Sequence, residues 1–418
     1  LAKAQRNAKQ NRGEITLTTT VSPFAQIAPA PPDPIIGVTE AHSADTNPHK
    51  VNLGAGVYQD ENGKIPILRA VREAEQRWLE REDSKTYLPI DGLPAFNQQV
   101  QRLLLGADSP LIAAGCAVTA QALGGTGALK IGADFLRRFF PASGVWISTP
   151  SWENHRMLFE SAGFKVEDYS YYDPATHDLN FRAMLSALEK LPRQSIVVLH
   201  ACCHNPTGVD LSREQWRTLV DLFQTTGLIP FLDFAYQGFG EGLDADAFAV
   251  RAFAEAGIPC LIANSFSKSF SLYRERIGAL TILTASAEES KRVLSQLKRI
   301  IRTNYSSPAS YGGQLVAMIL ADAALRARWE EELAAMRQRI QKMRALFVQT
   351  LREKGVEQDF SFIGRQRGMF SYSGLSPDVV RRLRQEDSLY MVDTGRMCIA
   401  AMNEKNIGPI CEAIANAL

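Results

Sequence analysis

Between about residues 115 and 285 the chain alternates short apolar runs with stretches of helical periodicity. The runs are AVTAQAL, GVWISTP, SIVVLHAC, GLIPFLDF, PCLIANSF and IGALTIL, each of a length that suits a buried strand. Strands alternating with helices predict an α/β fold with a mostly parallel, doubly wound sheet. Ligands of such sheets bind beyond the carboxyl ends of the strands, so the residues that follow each run are the candidates for chemistry. From 321 to 354 the pattern is helical and free of proline, with Leu325, Trp329, Leu333, Met336, Ile340, Met343, Leu346 and Phe347 near one face and Gly355 as a C-cap. A helix of about 34 residues at roughly 1.5 Å per residue spans about 50 Å, enough to bridge a large domain to a C-terminal one.

The organisation expected from this pattern is an N-terminal extension over 1–27, an arm and small-domain segment over 28–64, a large domain over 65–329 and a small C-terminal domain over 330–418. The arm begins with the Pro-rich APAPPDPI, which predicts extended chain. The first residues, basic and then Thr/Ser-rich, read as a leader or flexible extension and are set aside. No internal repeat is visible.

Composition narrows the class. At 418 residues the chain exceeds a single ordinary core, which favours two or three domains or a large domain with a smaller companion. A net charge of +1 gives no basic footprint for nucleic acid or a membrane surface. No apolar run approaches the roughly 18 residues of a bilayer span. Six cysteines without regular spacing predict a reduced, cytoplasmic protein rather than a disulfide scaffold.

The strand ends carry the chemistry. In SFSKSFSLYRERIGAL, Lys268 stands among hydroxylated residues just after an apolar run, with Arg276 eight positions later. In GLIPFLDFAYQGF, Asp233 and Tyr236 close another run; the carboxylate needs a partner or caps the next helix. CHNPTG, residues 203–208, is a turn and helix-entry sequence in which Asn205 can be a cap. Cys202, Cys203 and His204 lack metal-ligand spacing, and no metal is expected. ALGGTGALK, residues 122–130, suits a phosphate held by backbone N–H groups at a helix start, but it is not the dinucleotide fingerprint. An amine, a carboxylate, an anion cradle and an arginine together meet the needs of one cofactor, pyridoxal 5'-phosphate.

With those residues in place, the chain resembles the class I, fold type I, aminotransferases of the aspartate and aromatic amino acid group. The resemblance runs from about residue 28 to the C-terminus through NLGAGVYQDENG, TYLPIDG, GGTGAL, PSWENH, CCHNPTG, DFAYQGF, SFSKSFSLYRERIGAL, RTNYSSPA and GRMCIAAM. It implies that Lys268 bonds the cofactor's aldehyde and then serves as general base. It also implies that Asp233 pairs with the ring nitrogen, that Tyr236 and Asn205 bind the ring hydroxylate, and that Trp152 stacks on the ring. His155 and His204 are implied supports of Asp233. The phosphate is implied to be held by Gly125, Thr126, Ser265, Ser267 and Arg276, with Tyr87 arriving from the neighbouring subunit of a homodimer. Arg396 is implied to grip the substrate α-carboxylate, and Gly56 to let the N-terminal segment approach the substrate.

For the substrate, Arg302 matches the position that binds a distal carboxylate across the dimer interface, which implies use of dicarboxylates. Ser307 and Ala309 depart from the aspartate pattern, and Ser307, GMFSY and GRMC resemble the aromatic branch. The expectation is an aromatic amino acid aminotransferase that also takes aspartate, working with 2-oxo acids in ping-pong order; a strict aspartate enzyme is the alternative. A non-catalytic ligand-sensing module of the same fold would carry a fused DNA-binding domain, whereas about 28 residues precede the resemblance here. A nicotinamide oxidoreductase is disfavoured by the failed glycine fingerprint.

Overall fold

The computed structural model describes residues 22–30, 33 and 35–418 of the protein. Residues 1–21 of the expected extension, and 31, 32 and 34 of the expected arm, lie outside the described residues. Strand β1 is Val51–Asn52. The six apolar runs form β2 (Ala117–Leu123), β3 (Val145–Thr149), β5 (Ile196–His200), β6 (Ile229–Phe234), β7 (Leu261–Ser265) and β8 (Ile277–Leu283). A seventh strand, β4 (Val166–Ser170), was not predicted; only Val166 and Tyr169 are buried in it, as suits an edge with one neighbour.

The seven strands form one sheet in the order β2-β8-β7-β6-β5-β3-β4. Every pair is parallel except those of β8, which runs antiparallel to both β2 and β7. The reason is the link from β7 to β8, residues 266–276, which holds a single 3-10 turn instead of the crossover helix that a parallel neighbour needs. This reversal brings the start of β8, with Arg276, to the same edge as the carboxyl ends of the other strands. Two apolar cores cover the two faces of the sheet.

The smaller part is assembled from both ends of the chain. β1 pairs in parallel with β10 (Leu389–Tyr390), and β9 (Phe370–Tyr372) pairs antiparallel with β11 (Arg396–Cys398). Helix α1 (Gly124–Phe139) follows β2, and α2 (Ala323–Glu353) is the long helix foreseen in the sequence. The Asp322 carboxylate starts α2 by accepting from the amides of Ala324 and Leu325 at 3.0 and 2.9 Å, two residues later than the pattern suggested. Gly355 adopts the left-handed φ of +78° just past its end. Of the predicted apolar face only Leu346 is not fully buried. All six cysteines are buried and free, and no helix among the described residues is long and apolar enough to cross a membrane.

Candidate active site

A cavity of about 190 Å³ opens at the carboxyl edge of the sheet, lined by Gly125, Thr126, Trp152, Asn205, Asp233, Tyr236, Ser265, Ser267, Lys268 and Arg276 together with Leu129, His200 and Ala235. Ten residues singled out in the sequence therefore meet in one place. Gly125 and Thr126 stand in the first turn of α1, whose opening N–H groups have no partner within the helix. Gly124 must be glycine: its φ is +68°, and a Cβ would lie 2.5 Å from Nη2 of Arg276. Arg276 itself donates to the Ser267 hydroxyl at 3.2 Å and to the Tyr273 carbonyl at 3.0 Å.

Lys268 sits in a tight turn after β7. Its carbonyl accepts from the Ser271 amide at 3.0 Å, and the neighbouring Ser269 carbonyl accepts from the indole N–H of Trp329 at 2.7 Å. The Lys268 ammonium lies 5.0 Å from the centre of the Tyr236 ring. Burial pulls its pKa down to about 8, Asp233 opposes the fall, and Arg276 adds to it. A lysine so poised loses its proton far more readily than an exposed one, whose ordinary pKa is near 10.5, so a working share of neutral nucleophile and base is present just above neutral pH. In cofactor-free protein, the rate at which an amine reagent labels Lys268 should therefore rise through a midpoint near pH 8, read by peptide mass mapping across a pH series. A midpoint matching that of the exposed lysines would contradict this.

Asp233 is the penultimate residue of β6 and pairs in register with His200 at the end of β5. Burial pushes its carboxyl up, but the hydrogen bond and charge of His155, with His200 and Lys268 behind it, hold it below the ordinary carboxylate value. His155 Nε2–H donates to Asp233 Oδ2 at 2.8 Å, and its Nδ1 lies 2.9 Å from the Ser151 hydroxyl. His204, expected beside Asp233, is not its hydrogen-bond partner. Its Nε2 lies 2.9 Å from the Ser148 hydroxyl, its Nδ1 2.8 Å from the Thr207 hydroxyl, and its ring stacks on Tyr171.

The imidazole next to Asp233 and His155 is His200, which the sequence reading missed. Its ring is 5.0 Å from that of His155, both of its nitrogens are buried without a partner, and burial beside His155 drops its pKa to about 3. The available signal was the register of SIVVLH beside PFLDF, two strand ends that each place a polar residue at the edge. His155, His200 and Asp233 also bring metal-ligating atoms within 4.8 Å of one another, but His155 and Asp233 are committed to each other, as suits an oriented carboxylate.

Arg396 is 1% exposed. Its Nη2 donates to the Gly54 carbonyl at 2.8 Å, its Nη1 to Asn205 Oδ1 at 3.3 Å, and its Cζ lies 4.5 Å from the centre of the Phe370 ring. Its Nε–H is buried and unpartnered, a donor that a ligand oxygen would satisfy. Gly56 allows a close approach, since a Cβ there would lie 2.9 Å from the Phe370 ring edge. Tyr87 and Arg302 do not line this chain's own cavity: Tyr87 is 92% exposed, and Arg302, at the end of the helix Ala287–Asn304, donates to the Ser306 hydroxyl.

The donor set fits pyridoxal phosphate. Helix-start N–H groups, hydroxyls and a guanidinium suit a phosphate, a charged buried carboxylate suits a protonated pyridine nitrogen, and a depressed lysine suits an aldehyde. The comparisons agree. The family profile "Aminotransferase class I and II" matches residues 48–414. The aspartate aminotransferase of Pseudomonas aeruginosa is 55% identical over 95% of this chain and 100% of its own. The aromatic-amino-acid aminotransferase of Escherichia coli is 49% identical over 92% of this chain and 97% of its own. Among solved structures, the aromatic-amino-acid aminotransferase from Burkholderia pseudomallei, covalently bound to pyridoxal phosphate, superposes with a TM-score of 0.93 at 59% identity, covering 95% of this chain and all of that one. A fold, a cavity and relatives that all point one way place this chain in the class I and II aminotransferase family, to which it belongs as a pyridoxal-phosphate-dependent aminotransferase.

Proposed function

We propose that the protein moves the α-amino group of aromatic amino acids, and of aspartate, to 2-oxoglutarate. The observation that carries the α-amino acid reading is Arg396: a buried guanidinium fixed by Gly54 and Asn205, with its Nε–H unpartnered. An α-carboxylate brought there gains a charge-assisted hydrogen bond in surroundings that exclude water. For the side chain, the support is twofold: relatives carry both aspartate and aromatic names, and Ser307 follows the aromatic pattern.

In this reading the chain's own groups divide the work. Gly125, Thr126, Ser265, Ser267 and Arg276 hold the phosphate, and Trp152 covers the ring face. When bound, the pyridoxal group supplies the electron sink for the pair released from the substrate Cα–H bond. Asp233, held anionic and oriented by His155, keeps the ring nitrogen protonated. Tyr236, whose phenol burial pushes up, stays protonated and donates to the ring oxygen, as does the Asn205 amide N–H group left free by its bond to Arg396. The freed Lys268 amine would take the proton from the substrate Cα and deliver it two atoms away, beyond the nitrogen, to the carbon that had been the aldehyde.

Tyr87 and Arg302 act in trans, in a homodimer whose cavities each borrow both residues from the partner chain; their exposure on the single chain supports this. The segments 28–64 and 330–418 close over the cavity of the 65–329 domain when substrate binds. Cytoplasmic residence is supported by the six free cysteines.

Side-by-side turnover of tyrosine, phenylalanine and aspartate with 2-oxoglutarate tests the proposal: all three should react, and inert aromatic donors would reduce it to the strict aspartate enzyme. Arg302→Leu should separate the classes. It removes a charged partner from dicarboxylates only, so in the half-reaction with the amino donor alone the half-saturating concentration should rise about 100-fold for aspartate and change by no more than about threefold for phenylalanine. Equal effects on both donors would remove Arg302 from substrate recognition.

A further inference from the structure

The buried face of α2 carries a cation that its amphipathic pattern does not call for. Arg344 is 2% exposed, and its hydrogen bonds go to three carbonyls and a hydroxyl. Nη2 donates to the carbonyls of Gly368 at 2.8 Å and Phe370 at 2.6 Å, while Nη1 donates to that of Ile363 at 3.4 Å and to the Ser371 hydroxyl. Burial pulls its pKa down to about 10, so the fork remains a cation at neutral pH. Enclosing a guanidinium without a carboxylate is costly, and the return is geometric: a rigid fork of donors fixes whatever carbonyls it meets.

Those carbonyls belong to the segment that leads into β9, and that segment touches the substrate arginine by two routes. First, it lies backbone on backbone against the turn that carries Asn205. The Arg367 amide donates to the Gly208 carbonyl at 2.6 Å, and a Cβ on Gly368 would fall 2.4 Å from that of Cys203. Second, Phe370 presents its ring to the Arg396 guanidinium at 4.5 Å. The two side chains on which Arg396 rests, the Asn205 amide and the Phe370 ring, are thus both braced by backbone that Arg344 clamps.

We propose that Arg344 is a positioning residue for the carboxylate site: by holding the Gly368 and Phe370 carbonyls it keeps Asn205 and Phe370 where they hold Arg396 ready for the substrate. The inference rests on the reading of Arg396 given above. It concerns binding rather than proton transfer, because Lys268 and Asp233 stand on other elements.

The test compares holoenzymes carrying Arg344→Met, Arg344→Lys and Ser371→Ala with the unaltered protein and with Arg396→Lys. The readouts are KM and kcat for phenylalanine and aspartate, the dissociation constant of 3-phenylpropionate, the absorbance of the bound cofactor and the melting temperature. Arg344→Met should raise KM for both donors, and weaken 3-phenylpropionate, by about tenfold or more, with kcat changed less and cofactor absorbance kept. Arg344→Lys should recover part of the loss. Should Arg344→Met fail to fold, Ser371→Ala decides, with an expected rise in KM of about threefold.

Unchanged KM and 3-phenylpropionate binding in the variants that fold would overturn the proposal. So would a KM rise that only tracks loss of cofactor and of melting temperature. If Arg396→Lys raises KM and the Arg344 and Ser371 variants do not, the positioning role alone fails. If Arg396→Lys leaves KM unchanged, the carboxylate reading fails and takes this inference with it.

Discussion

Lys268→Ala should lower transamination by about 10⁴-fold or more, because one side chain provides both the covalent attachment and the general base. The fold should survive. The residue lines a cavity rather than filling a core, and the turn around it is held by main-chain and Trp329 contacts that alanine keeps. Single-turnover mixing with phenylalanine measures the loss, and circular dichroism checks the fold. Activity within about tenfold of the unaltered protein would mean that the proton moves through another group.

Asp233→Asn is the second large effect, expected to cost about 10³-fold or more in the same reaction. Asparagine keeps the size of the side chain and an oxygen for the His155 N–H, but it removes the charge that stabilises a protonated ring nitrogen. His155→Asn, which keeps the charge and loosens its orientation, should cost far less. The order of these two variants is the informative result. If His155→Asn proved as damaging as Asp233→Asn, orientation rather than charge would be the contribution of this pair.

Much of this site is legible along the chain because its residues follow apolar runs. Lys268, Asp233, Asn205 and the glycines of GGTGAL each stand where a buried strand ends, and a doubly wound sheet brings such ends to one edge. Other features depend on pairing that no single run reveals. Arg276 reaches the edge only because β8 is antiparallel, which follows from a link too short for a crossover. His200 was overlooked in favour of His204, its neighbour in the more eye-catching CCHNPTG, although strand register rather than proximity in sequence decides which imidazole lies by Asp233. Arg344 occupies the buried face of α2 next to Met343, where periodicity gives no reason for a charge; its partners come from residues 19 to 27 positions away. Tyr87 and Arg302 show a different limit, since both stand outside the cavity of their own chain, where the pattern of one chain brings them to no strand end.

The central claim is a covalent bond between Lys268 and pyridoxal phosphate. Borohydride reduction of the purified protein, followed by proteolysis and peptide mass mapping, tests it most directly. The account predicts that reduction removes the visible absorbance of the lysine-linked chromophore and leaves the pyridoxyl mass on the peptide that contains Lys268. A label on another lysine, or no label on protein that has been supplied with pyridoxal phosphate, would contradict it.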